Sequence, residues 1–130
     1  RERGRRAELN FGHTFGQAIE TATGYGDWLH GEAVSVGMVL AARLSQRQGW
    51  LAAADVKRVR EVLRRAGLPV SAPHVGAARA LTLMGMDKKV LAGRIRLVLL
   101  QGLGTAAVTA DYDPEALGET LREHFEAGAA

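Results

Sequence analysis

Residues 31–48 carry apolar side chains on nearly every side of a helical projection, among them Ala33, Val34, Val36, Met38, Val39, Leu40, Ala41, Ala42 and Leu44. A helix that is hydrophobic all round has no face for water, so this one is expected to be the buried centre of the fold. Glu32 sits in its first turn, where the helix dipole favours an anion. Gly49 ends it, and the rest of the chain reads as elements wrapped around it. Upstream, a helix is expected from near Arg6 to Thr23, stopped at Gly24-Tyr25-Gly26, whose glycines can take the positive φ of a chain reversal.

Downstream, residues 53–66 read as a helix with Val56, Val59, Val62 and Leu63 in one apolar stripe, ended by Gly67-Leu68-Pro69. Residues 75–86 read as a short helix with Ala78, Leu81 and Met84 inward. From Arg94 the run Ile95, Leu97, Val98, Leu99 and Leu100, interrupted by Gly102 and Gly104 before 105–109, predicts a β-hairpin. Asp113 as N-cap with Pro114 in the first helical position starts a last helix to about residue 127. The expected fold class is mainly α, with a small β-hairpin. At 130 residues and 47% hydrophobic, the chain can build the core of one domain but is short for two.

The first helix carries an unusual polar stripe. Arg6, Asn10, His13 and Gln17, at i, i+4, i+7 and i+11, fall within about 60° of one another, while Phe15, Ala18, Ile19 and Ala22 take the opposite side. Solvated helix faces usually carry Lys, Glu and Arg instead, so this stripe points to a ligand. Gly12 and Gly16 each cost about 1 kcal/mol against Ala in a helix interior and call for a close approach by another backbone or a ligand. His30 follows His13 by 17 residues, and a helix with a tight reversal can bring two such positions to one pocket.

Two histidines suit zinc. The chain has no cysteine, so any metal here is held by imidazole and carboxylate. Spacing alone leaves a structural role for both histidines open. Glu20 and Glu32 are candidate third ligands, and neither is placed on the His13 stripe. His74, in the connector after Pro73, reads as incidental.

The run L-N-F-G-H-T-F-G-Q-A-I-E, followed by G-Y-G-x-W-L-H-G-E-A-V-x-x-G-M, closely resembles the C-terminal half of the 3-dehydroquinate synthases. These are NAD- and metal-dependent cyclases of the shikimate pathway of aromatic amino acid biosynthesis. The later M-D-K-K-V-L-A-G-R-I-R-L-V-L-L-Q-G-L-G fits the same family, so the resemblance runs from about residue 6 to residue 108. It implies the helical C-terminal domain of the dehydroquinate synthase-like fold, here a single metal- and substrate-binding domain over 1–130.

The implied activity is that of a phosphorus-oxygen lyase, converting 3-deoxy-D-arabino-heptulosonate 7-phosphate to 3-dehydroquinate plus phosphate. His13 and His30 occupy the positions of two metal ligands, for zinc or cobalt, with a third ligand, a glutamate, earlier in the protein. Arg6 matches a carboxylate-binding arginine, for which a planar bidentate fork is apt. Asn10 matches a substrate-contacting asparagine, and Lys88 or Lys89, more naturally Lys88, a lysine on the phosphate side. The family usually has a histidine at the position of Gln17. Glutamine still donates a hydrogen bond but cannot titrate near neutral pH, which opens the alternative of another sugar phosphate cyclase.

No glycine-rich loop between a strand and a helix appears, so the resemblance puts the NAD site mainly in a preceding N-terminal domain of about half the protein. The chain alone is therefore expected to be catalytically silent, and the full-length protein to be a cytoplasmic homodimer.

Net charge is +3, with Lys57, Arg58, Arg60, Arg64 and Arg65 gathered in the third helix. They suggest a non-catalytic basic module binding nucleic acid or a partner protein. Aromatic residues for base stacking are few and not interleaved with these charges, so a solvated face is the expectation and nucleic acid is not. No apolar run reaches the length of a membrane span, and no membrane partner is expected.

Overall fold

The computed structural model describes residues 12–24, 28–85, 90–91, 94–95, 97–102, 105–109 and 111–126. In chain order its elements are α1 (His13–Ala22), α2 (His30–Arg47), α3 (Ala53–Arg65), α4 (Ala77–Gly85), β1 (Val90–Leu91), β2 (Arg94–Ile95), β3 (Leu97–Gly102), β4 (Thr105–Thr109) and α5 (Pro114–Phe125). The architecture is mainly helical with an antiparallel hairpin, as the periodicity predicts. Among the described residues no helix is long and apolar enough to cross a membrane.

The centre is α2. Ala33, Val36, Leu40, Ala41, Ala42 and Leu44 have no exposed surface, and α1, α3, β3 and α5 all pack on this helix. Gly49, at φ 83°, takes the left-handed conformation that ends it. Against α2 lies α1, which buries Phe15, Ala18 and Ile19 and brings its glycines onto the α2 backbone. A Cβ on Gly16 would sit 3.1 Å from the Ala33 carbonyl oxygen, and one on Gly12 would sit 2.6 Å from the Met38 nitrogen. The two small residues are thus explained by another backbone.

Gly12 also corrects the expected start of the first helix. Its φ of 84° is left-handed, so no α-helix runs through it, and α1 begins at His13. Arg6 and Asn10 lie outside the described residues, and His13 and Gln17 are what remains of the stripe on α1.

Two further expectations shift in phase. On α3 only Val56 is buried and Val62 is 59% exposed, because Val62 stands about 120° around the helix from Val56 and α3 meets α2 along one line. On α4 the inward residues are Ala77, Ala80 and Met84, whereas Ala78 and Leu81 face solvent. Ala77, Ala80 and Met84, at i, i+3 and i+7, line the face that meets α1 and α5. The last helix starts as expected: Asp113 accepts a hydrogen bond from the Glu115 N–H at 3.0 Å, and Pro114 occupies the first position. It ends at Phe125, short of residue 127.

Strand β3 pairs antiparallel with β4, from Leu97↔Thr109 to Gly102↔Thr105, with an irregularity between Leu100 and Gly102. Leu97, Leu99 and Leu100 face the core. The hairpin is pinned to α2 by Ser45, whose buried hydroxyl donates to the Ala41 carbonyl at 2.7 Å and accepts the Leu100 N–H at 2.9 Å. Replacing Ser45 by Ala strands that N–H in the core, so Ser45→Ala is expected to cost about 1–3 kcal/mol. Urea denaturation checks this, and a cost near zero would mean that the amide finds another partner.

Candidate metal-binding site

Three side chains from α1 and α2 converge. His13 opens α1 and His30 opens α2, and their ring centroids lie 5.4 Å apart with the planes tilted by 58°. The third is Glu20, near the far end of α1, whose carboxylate accepts a hydrogen bond from His30 Nδ1 at 3.1 Å. The glycine contacts between α1 and α2 permit this convergence, because helices separated by larger residues at those points would stand farther apart.

The donor chemistry fits a divalent metal. His13 Nδ1 is buried without a hydrogen-bond partner, an exception to the rule that buried polar atoms are paired and one that a ligand explains. His30 has its Nδ1 committed to Glu20, which leaves Nε2 as its second donor atom. Imidazole nitrogens are ligands of choice for zinc and cobalt. Among the described residues no three His, Cys, Asp or Glu side chains are arranged to hold a metal, so a metal at this pair would need a further ligand.

Glu32 has another partner. Its carboxylate accepts the Leu29 N–H at 3.0 Å and caps the start of α2. Glu20, by contrast, expected off the His13 stripe, lies beside the pair. Positions i and i+7 differ by only about 20° around a helix, so the spacing of His13 and Glu20 already carried the signal.

Gln17 is exposed on α1. Arg6, Asn10, Lys88 and Lys89 lie outside the described residues, and His74 is an exposed connector residue. The remaining histidine, His124, is buried in α5, where its Nδ1 donates to the Thr120 carbonyl at 2.9 Å. Burial holds its pKa below the ordinary 6.5 despite that bond and the nearby Glu123 carboxylate, as a core residue would behave.

The basic residues of α3 are exposed, and Lys57, Arg60 and Arg64 line a cavity of about 510 Å³ together with Arg43 of α2. Glu61 and Glu123 line it too, paired with Arg64 at 3.3 Å and Arg43 at 3.1 Å. The face is a mixed ion-pair surface without an aromatic side chain among the described residues of its lining, unlike a single-strand nucleic-acid groove.

The same fold occurs in solved structures. The structure is similar to 2-epi-5-epi-valiolone synthase from Streptomyces hygroscopicus subsp. jinggangensis 5008, solved with NAD+ and Zn2+, at TM-score 0.76 and 29% identity, covering 92% of this chain and 33% of that one. It is also similar to a 2-deoxy-scyllo-inosose synthase complexed with carbaglucose-6-phosphate, NAD+ and Co2+, at TM-score 0.73 and 27% identity over 88% of this chain and 34% of that one.

The family model for the 3-dehydroquinate synthase C-terminal domain matches residues 1–90, and the chain belongs to that family. Among curated relatives, the 3-dehydroquinate synthase of Psychrobacter arcticus is 57% identical over 95% of this chain, and that of Pseudomonas aeruginosa strain LESB58 is 58% identical over 98%. The chain spans about a third of the length of these relatives, 32% and 35% respectively.

Proposed function

We propose that the chain is the metal- and substrate-binding part of a 3-dehydroquinate synthase, acting on 3-deoxy-D-arabino-heptulosonate 7-phosphate to yield 3-dehydroquinate and phosphate. The observation that carries this reading is the His13–His30 pair with its orphaned Nδ1, in a chain 57–58% identical to proteins of that name. The structural neighbours, solved with NAD+ and Zn2+ or Co2+, support the same cofactors here. When bound, the metal would supply a Lewis acid for the substrate hydroxyl, and NAD would supply a hydride acceptor.

The chain's own residues bind and orient. His13 and His30 hold the metal together with a carboxylate from outside the described residues. The Arg6 guanidinium takes the substrate carboxylate through two parallel hydrogen bonds, Asn10 a hydroxyl, and Lys88, with Lys89 beside it, the phosphate. Gln17 donates a hydrogen bond in the same region without titrating. In this reading residues 1–130 form one domain, the NAD-binding domain lies in a separate N-terminal part, and the full-length protein is a cytoplasmic homodimer.

A second reading, a cyclase acting on a sugar phosphate without a carboxylate, is favoured by Gln17 and by the identity of the structural neighbours. Phosphate release by the full-length protein from the acidic seven-carbon sugar phosphate and from a non-carboxylated one separates the two. Turnover of the acidic substrate is expected. Turnover of the non-carboxylated substrate alone would replace the first reading with the second.

A further inference from the structure

Resting on the reading of His13 and His30 as metal ligands, we propose that Glu20 is a positioning residue, whose carboxylate holds the His30 ring through Nδ1 and leaves Nε2 as the donor atom for the metal. Glu20 is 9% exposed, and a carboxylate that deep needs a partner. Among the described residues its side-chain partner is His30 Nδ1, at 3.1 Å. A carboxylate accepts and does not donate, so the proton of this bond belongs to Nδ1 and the free lone pair to Nε2. The His30 side chain is itself 60% exposed, so packing alone does not set its rotation, and Glu20 does.

The bond joins two elements, since Glu20 is on α1 and His30 is the first residue of α2. It therefore transmits the α1/α2 crossing directly to the ring. Glu20 is not itself the missing third ligand: the oxygen that touches His30 is hydrogen-bonded to Nδ1, across the ring from Nε2, and among the described residues no three such side chains are arranged to hold a metal. Carboxylate–histidine pairs of this kind fix the tautomer and ring orientation of metal ligands, and their loss costs about 10–100-fold in metal affinity.

The test uses the 130-residue chain as wild type, Glu20→Ala and Glu20→Gln, with two readouts. Long-range 1H–15N NMR of the metal-free chain reports which nitrogen of His30 carries the proton, and visible absorption during Co2+ titration reports affinity. Wild type is expected to be protonated on Nδ1. Glu20→Ala should lose that preference and bind Co2+ about 10–100-fold more weakly. Glu20→Gln, whose amide oxygen still accepts from Nδ1–H, should keep the tautomer and bind Co2+ with intermediate affinity.

A contribution to helix packing alone would lower the stability of Glu20→Ala and leave the tautomer unmoved. Wild-type His30 protonated on Nε2, or a Glu20→Ala chain with unchanged tautomer and Co2+ affinity, overturns the proposal. If Glu20→Ala does not fold, Glu20→Gln carries the test, and a Co2+ affinity equal to wild type overturns it. If Co2+ binds neither these chains nor the full-length protein while the tautomer of Glu20→Ala moves, the metal reading of the pair fails and the hold of Glu20 on His30 stands.

Discussion

Gly37→Ala is expected to destabilise the chain by about 3 kcal/mol or more. A Cβ on Gly37 would lie 2.1 Å from the Gly12 carbonyl oxygen and 2.9 Å from the Gly16 nitrogen. Both are backbone atoms, so no side-chain rotation relieves the overlap, and α1 must move away from α2. The better helix propensity of Ala returns only about 1 kcal/mol. Because α1 carries His13 and Glu20 and α2 carries His30, the same displacement opens the site.

Gly31→Ala is the matched control. Among the described residues nothing lies within 4 Å of a Cβ at Gly31, so that variant should be neutral or gain up to about 1 kcal/mol. Thermal denaturation of the two variants checks both, with a fall of roughly 10 °C expected for Gly37→Ala. A melting temperature equal to wild type would mean that α1 and α2 do not cross as closely as described.

The 130-residue chain is also expected to bind zinc more weakly than about 1 µM and to show no saturable NAD binding. Two imidazoles supply neither the negative charge nor the fixed geometry of a three-ligand set, and among the described residues no third donor joins them. Placing a nicotinamide for hydride transfer requires a built cofactor site, and no glycine-rich dinucleotide loop appears in the sequence. Calorimetric titration with zinc and then NAD measures both. Sub-micromolar zinc binding that His13→Ala abolishes, or any saturable NAD binding, would show a complete site within these residues and overturn the assignment of the third ligand and the cofactor cleft to another part of the protein.

Features decided by a few neighbouring residues could be read directly from the chain. The all-round apolar pattern of α2 announced its burial, Asp113-Pro114 announced the start of α5, and Gly49 the end of α2, because each depends on side chains or backbone freedom within one or two turns. The pairing of β3 with β4 was legible for the same reason: two strand-forming runs separated by glycines have little choice but to fold back on each other.

Which side of an exposed helix turns inward is a different kind of question. On α4 the expected Ala78 and Leu81 gave way to Ala77 and Ala80, since a short helix with apolar residues at several phases takes the one its neighbours, α1 and α5, can cover. Val62 on α3 stays exposed because, among the described residues, no element covers that side. The histidines of the candidate site could be named from the sequence, and so could the two glycines beside them. That His30 would meet Glu20, 10 residues away, as well as His13 depended on how closely α1 and α2 approach. That approach is set by Gly12, Gly16 and Gly37 meeting backbone to backbone, a contact between residues more than 15 positions apart that no local pattern encodes.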